Sequence, residues 1–181
     1  MRLMQLRDKR SSGTKTFLEA KKLVSDLSPL GVRVIVNDRP DIAAIVGAGG
    51  VHVGQEDLPV EEARKFCGAA QWVGVSTHNI EQLQAALRTS ADYVAVGPIY
   101  PTATKKNPDP VVGVAFLREA RRMTQKPLVA IGGITLDRAE ELYQAGADSL
   151  AVISDLLRAP DPAARAREYL AIAARVRAAR T

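Results

Sequence analysis

Disulfides, long apolar runs and aromatic clusters are what this chain of 181 residues does without. Its one cysteine, Cys67, has no internal partner, and its place at the end of an apolar helical pattern predicts a buried, inert thiol. Charged residues, 25% of the total, interrupt every hydrophobic stretch before it reaches the length of a bilayer, so no membrane-spanning helix is expected. The opening MRLMQLRDKR has neither the apolar stretch nor the small-residue cleavage site of a secretory leader, which predicts a cytoplasmic protein. Aromatic residues are only 4% of the chain, and no recognition motif accompanies its basic residues. Much of the net charge of +5 lies in Arg165, Arg167, Arg175, Arg177 and Arg180, which therefore read as a solvated helix face and not as a nucleic-acid surface. Histidines number only two. His52, between Val51 and Val53, reads as structural. His78 follows Ser76 at a strand end within reach of a substrate, but no Ser-His-acid arrangement accompanies it, which excludes a hydrolase triad.

What is present is a regular alternation. Runs rich in Val, Ile and Leu predict strands at Leu3 to Leu6, Arg33 to Val36, Val51 to Val53, Trp72 to Val75, Tyr93 to Val96, Leu128 to Ile131 and Ser149 to Ile153. Apolar residues at spacings of three and four predict helices at Thr16 to Leu27, Pro59 to Phe66, Ile80 to Leu87, Ala115 to Arg122, Leu136 to Gln144 and Ala163 to Arg177. Strand and helix alternating at roughly 20 residues is the mark of repeated βαβ units and a parallel sheet. Thr135 reads as an N-cap with Asp137 in the first turn, and Gly146 as a left-handed residue after the helix. With 46% hydrophobic residues the chain suits one domain, 1–181. The strand count falls one short of an eight-stranded barrel. Because the chain opens inside a strand, the missing unit is expected to be the first strand and first helix. The segment Gly97 to Val112, with Pro98, Pro101, Pro108 and Pro110, reads as an ordered or gating loop.

The strands end in chemically loaded residues, and parallel strands that finish on one side bring such residues together. In an extended segment Gln5, Arg7 and Lys9 share one side, where a guanidinium fork, an ammonium and an amide suit a diphosphate and a heterocycle. Alone, the same cluster reads equally as a solvated strand terminus. Asp38 after Asn37, and Asp57 after Gln55-Glu56, offer the hard oxygens that Mg²⁺ requires, although a single Asp here would read as a turn residue or cap. Thr102, Thr104, Lys105 and Lys106 supply hydroxyls and cations suited to phosphate. Gly132-Gly133 and Ile153-Ser154 end the last two strands, where barrel folds commonly bind phosphate.

The segments QLRDK, VNDRPDIA, GVHVGQEDLP, GVSTH, ADYVAVGPIYPTATKK, VAIGGIT and AGADSLAVIS together resemble the thiamine phosphate synthase family, in that order and over nearly the whole chain. GQED and PTATKK after GPIY are the specific elements. The resemblance implies an α/β fold of the TIM (β/α)₈ type lacking its first strand and first helix. It implies a transferase of thiamine biosynthesis that condenses 4-amino-2-methyl-5-(diphosphooxymethyl)pyrimidine with thiazole phosphate to give thiamine phosphate and diphosphate, by a Mg²⁺-assisted dissociative route. The pyrimidine diphosphate would be held by Gln5, Arg7, Lys9, Asn37, Ser76 and Lys105, with Arg7, Lys9, Ser76 and Lys105 taking part in catalysis. Asp38 and Asp57 would bind the metal, and Thr102, Thr104, Gly133, Ile153 and Ser154 the thiazole phosphate. The partners implied are these small molecules, with neither nucleic acid nor membrane, and a homo-oligomer is left open. Two departures stand out. The family's usual opening strand and helix are absent, which predicts that Met1 lies inside a longer protein. Arg39 follows Asp38 where many relatives carry a second acid, a variation expected to leave metal binding intact. The competing reading is a non-synthase relative, a thiazole tautomerase or a regulatory ligand-binding barrel, but such relatives usually lack the Asn-Asp, GQED and PTxTKK elements present here.

Overall fold

The computed structural model describes residues 3–102 and 109–179. Seven strands form a sheet in chain order: β1 (Leu3–Leu6), β2 (Arg33–Asn37), β3 (Gly50–Val53), β4 (Trp72–Thr77), β5 (Tyr93–Val96), β6 (Leu128–Ile131) and β7 (Ser149–Ala151). The helices are α1 (Gly13–Leu27), α2 (Pro40–Ile45), α3 (Val60–Phe66), α4 (Ile80–Leu87), α5 (Gly113–Met123), α6 (Ala139–Gln144), α7 (Ser154–Leu157) and α8 (Pro162–Ala178). This is the (β/α)₈ type of arrangement with, among the described residues, one strand fewer than eight.

The chain divides into two compact units, Met1–Ser76 with Ala86–Tyr93, and Thr77–Ala85 with Val94–Thr181. In the first, β1 to β4 pair in parallel, with Gln5 beside Ile35, Asn37 beside His52, and His52 beside Gly74. Parallel strands covered on both faces need apolar residues throughout. Accordingly Val34, Ile35 and Val36 are wholly buried, as are Val51 and Val73. Each such side chain contributes about 1.5–3 kcal/mol by leaving water. Arg64 ties α3 to this unit by donating to the Gln71 carbonyl at 2.7 Å and pairing with Asp92. In the second unit β5, β6 and β7 are parallel, and Leu117, Leu128 and Leu142 are wholly buried. There α6 and α8 meet through Tyr143, Ala173 and Val176, with Leu150 of β7 against them.

Several expectations are corrected. β7 stops at Ala151 and not at Ile153, because its neighbour β6 ends at Ile131, the partner of Ala151, and later residues have no ladder to join. α1 begins three residues before Thr16, since the Ser12 hydroxyl accepts from the Lys15 amide at 3.3 Å and caps the extra turn. α2 is an additional helix, with Pro40 in its first turn. Thr135 sits at a cap position with extended backbone, but the turn after it is a 3₁₀ helix, and its hydroxyl binds Asp137 and holds that carboxyl below its usual range. Cys67 is half-buried, at the end of α3, where burial raises its thiol pKa. The C-terminal arginines are engaged as well as solvated: Arg165 pairs with Asp155 at 2.7 Å, Arg175 with Glu140 at 2.5 Å, and Arg177 donates to the Asp148 carbonyl at 2.9 Å. Arg180 lies outside the described residues. Gly146 does take the left-handed region, with φ 113°. The start of the Gly97 to Val112 segment is ordered by Ile99, wholly buried, whose amide donates to the Ile131 carbonyl at 2.8 Å.

Candidate active site

In the first unit the acidic residues sit where β2 and β3 run out. Asp38, directly after β2, has φ 63°, a left-handed conformation that short polar side chains tolerate better than most. Its amide donates to the His52 carbonyl at 2.8 Å, which anchors the turn to β3. Strain of this kind concentrates at functional sites. The Asp38 carboxylate accepts from Lys9 Nζ at 2.8 Å, and the Asp57 side chain is close enough to hydrogen-bond with it. Burial raises the Asp38 pKa; Lys9 opposes the rise and the facing Asp57 adds to it. Asp57 Oδ2 is itself steadied by the Gly54 amide at 2.7 Å. Two half-buried carboxylates held against each other fit a divalent cation in their chemistry: hard oxygen donors whose mutual repulsion a +2 charge would relieve. Among the described residues no group of three or more Asp, Glu, His or Cys side chains could hold a metal, so the remaining ligands would be water and phosphate oxygens. Arg39 turns to Asp41, at 2.8 and 2.5 Å, so its guanidinium is engaged within its own turn and not with the Asp38–Asp57 pair.

The first unit also holds other residues named above. Gln5, Arg7 and Lys9 are exposed while Met4, Leu6 and Asp8 are half-buried, so the expected alternation holds. Asp8 serves the turn, accepting from the Arg10 amide at 2.8 Å and the Ser11 amide at 3.1 Å. Arg7 and Asp57 are both near enough to His52 to bias its charge in opposite directions. Asn37, the last residue of β2, is half-buried beside His52. Ser76 lies inside β4, which runs on to Thr77. Its carbonyl accepts from Gln55 Nε2 at 2.6 Å, and its hydroxyl meets His52 Nε2 at 2.8 Å.

That last contact went unforeseen. His52 is 7% exposed, and its other ring nitrogen meets the Tyr93 hydroxyl at 2.9 Å. Burial is the chief cause that lowers the His52 pKa to about 4, so the ring is neutral at pH 7. Burial also pushes the Tyr93 phenol well above its ordinary value. A Ser-His pair therefore exists, but its third member is a neutral phenol and not a carboxylate, so the exclusion of a hydrolase triad stands.

The second unit holds the other candidates. Gly132 and Gly133 follow β6 with φ 88° and 66°. A side chain at Gly133 would meet the Pro101 carbonyl at 2.4 Å, so only glycine fits this close approach. The Gly133 carbonyl accepts from Arg138 at 2.8 Å, while Tyr100 donates to Gly132 at 3.1 Å. Thr102 is half-buried in the segment that follows Tyr100. Thr104, Lys105 and Lys106 lie outside the described residues. Ile153, 41% exposed, follows β7, and Ser154 opens α7. His78 is a brace here: Nδ1 meets the Gly97 carbonyl at 2.5 Å, and Nε2 stands 3.5 Å from Asp109. No helix among the described residues is long and apolar enough to cross a membrane.

Comparison with known proteins identifies the family. The family model described as thiamine monophosphate synthase matches residues 1–156. A thiamine-phosphate synthase of Koribacter versatilis is 51% identical over 170 residues, covering 94% of this chain and 79% of its own. One of Methanospirillum hungatei is 42% identical, covering 93% and 82%. The solved thiamine phosphate pyrophosphorylase of Pyrococcus furiosus superposes with a TM-score of 0.87 at 32% identity, covering 96% of this chain and 83% of that one. A 3-hexulose-6-phosphate synthase of Salmonella typhimurium, at TM-score 0.65 and 15% identity over 97% of this chain and all of its own, shares the fold alone. By sequence and by structure, then, the chain belongs to the thiamine monophosphate synthase family, and it is an enzyme, a transferase of thiamine biosynthesis.

Proposed function

We propose that the chain joins the diphosphate ester of 4-amino-5-hydroxymethyl-2-methylpyrimidine to thiazole phosphate, with release of diphosphate. The observation that carries this reading is the Asp38–Asp57 pair with Lys9 at 2.8 Å from Asp38, which puts hard anionic oxygens and a cation in one small region. Asp38 and Asp57 would hold Mg²⁺, whose chemistry when bound is to offset charge growing on the departing diphosphate. Arg7 contributes a forked donor and Lys9 a point charge to the same oxygens, and Lys105 takes a like role. Gln5, Asn37 and Ser76 orient the heterocycle. Thr102, Thr104, Gly133, Ile153 and Ser154 hold the thiazole phosphate. The C–O bond to diphosphate breaks with both electrons leaving on oxygen. The aminopyrimidine spreads the resulting positive charge, and the thiazole nitrogen supplies the electron pair of the new C–N bond. No protein nucleophile is needed; the side chains bind, align and stabilise charge.

Purified protein given both substrates and Mg²⁺ is expected to release diphosphate, and Asp38→Ala to lower the rate by about a hundredfold or more, the scale of losing a main electrostatic contact in the transition state. A rate untouched by chelation or by Asp38→Ala would refute the assignment.

A further inference from the structure

We infer that Tyr93 and His52 form a positioning relay that presents the Ser76 hydroxyl as a hydrogen-bond donor to the substrate; this deepens the reading above and rests on its assignment of Ser76 to the pyrimidine diphosphate. The three residues come from three strands. His52 on β3 meets Ser76 Oγ of β4 through Nε2 at 2.8 Å and the hydroxyl of Tyr93, the first residue of β5, through Nδ1 at 2.9 Å. The Tyr93 and His52 rings stack with centroids 5.5 Å apart and planes 24° apart. Gly74, the register partner of His52 and two residues before Ser76, leaves the space for the tyrosine, since a side chain there would meet the ring at 2.0 Å.

The direction of the relay follows from counting hydrogens. A neutral imidazole carries one N–H. Tyr93 is 6% exposed, and among the described residues its hydroxyl has His52 Nδ1 as its hydrogen-bond partner. If Nδ1 carried the hydrogen, the phenolic O–H would be buried without an acceptor, which is costly. The phenol therefore donates to Nδ1, Nε2 carries the hydrogen, and Nε2–H donates to Ser76 Oγ. The serine oxygen having accepted, its own O–H is left to donate outward. Gln55 holds the Ser76 carbonyl at 2.6 Å, so the residue is fixed at both backbone and side chain. His52 touches no substrate in this scheme and acts through Ser76, as outer partners of metal and substrate ligands do.

The test is steady-state diphosphate release with thermal melts alongside, for Ser76→Ala, His52→Leu, His52→Gln, Tyr93→Phe and the double variant Ser76→Ala/His52→Leu. His52→Leu and Tyr93→Phe are expected to lower kcat by roughly 10–100-fold, the usual cost of losing an outer hydrogen-bond partner. His52→Gln, whose amide can still donate to Ser76, is expected to recover most of the rate. His52→Leu should add nothing once Ser76 is Ala, because the two act as one unit. Should His52→Leu melt below assay temperature, Tyr93→Phe, which removes a single oxygen, carries the test. A full kcat in His52→Leu and Tyr93→Phe beside an impaired Ser76→Ala overturns the relay and leaves the Ser76 assignment standing. Equal losses from His52→Leu in both backgrounds overturn it too. A full rate in Ser76→Ala overturns the assignment itself, and the relay with it.

Discussion

Gly74→Ala, a change of one methyl group, is expected to be among the more damaging single substitutions in the first unit. The added Cβ would lie 2.0 Å from Tyr93 Cζ and 2.4 Å from both Cε atoms. Such separations require the ring to move. The ring cannot swing away cheaply, because it is 6% exposed, stacked on His52 and tilted against Trp72. Gly74 is not at a positive φ, so the cost is steric and owes nothing to backbone strain. Overpacking of a filled core costs about 1–3 kcal/mol. Loss of the Tyr93–His52 hydrogen bond adds about 1 kcal/mol. The smaller unfolded-state entropy of alanine returns about 0.5 kcal/mol. The net, about 2.5 kcal/mol, corresponds to a fall in Tm of about 5–10 °C for a chain of this size. A melt followed by circular dichroism reads it directly. A Gly74→Ala protein melting within about 1 °C of the parent would refute the packing argument, and with it the account of how Tyr93 reaches His52.

Other outcomes follow from two hydrogen-bonded carboxylates, Asp8 and Asp155. The Ser11 hydroxyl, and then the Arg10 and Ser11 amides, hold the Asp8 carboxyl down at about 2, below the ordinary carboxylate range. A depressed carboxyl stabilises the fold above its unfolded pKa and loses that contribution as pH falls through the folded one. An NMR titration of the Asp8 carboxyl should therefore find a midpoint near 2, and a midpoint near 4 would contradict its hydrogen bonds to the Arg10–Ser11 turn. Asp155 accepts from Arg165 at 2.7 Å and from the Tyr169 hydroxyl at 2.8 Å, joining α7 to α8. Asp155→Ala is expected to cost about 2–3 kcal/mol in denaturant unfolding and Tyr169→Phe about 1 kcal/mol, while equal costs would argue against the charged bond as the larger contribution.

The strands were legible because parallel strands covered on both faces need unbroken apolar runs, and the buried strand Tyr93–Val96 and the partly buried Leu128–Ile131 have them. α2 was not, because six residues are too few to show a period, although Pro40 at its first turn was a usable sign. The length of β7 depended on where β6 stops, a fact about the neighbour and not about Ser149–Ala151. In the site, the nearness of Asp38, Asp57 and Lys9 was expected from strand ends alone, since parallel strands align their ends. The His52–Ser76–Tyr93 contact was hidden for the opposite reason. In a strand buried on both faces, Gly50–Val53, no alternation of polar and apolar residues shows which face a histidine takes. The notable absence of a side chain at Gly74 was the one sign in the sequence that a ring from the next strand lies across β4.

The account turns on Asp38 and Asp57 acting together on a divalent cation. Titration of Mn²⁺ into the protein with inorganic diphosphate, followed by electron paramagnetic resonance, reads that directly without turnover. The account predicts that the unaltered protein takes up the ion and that Asp38→Asn and Asp57→Asn each abolish the uptake. Equal binding by all three proteins would contradict it.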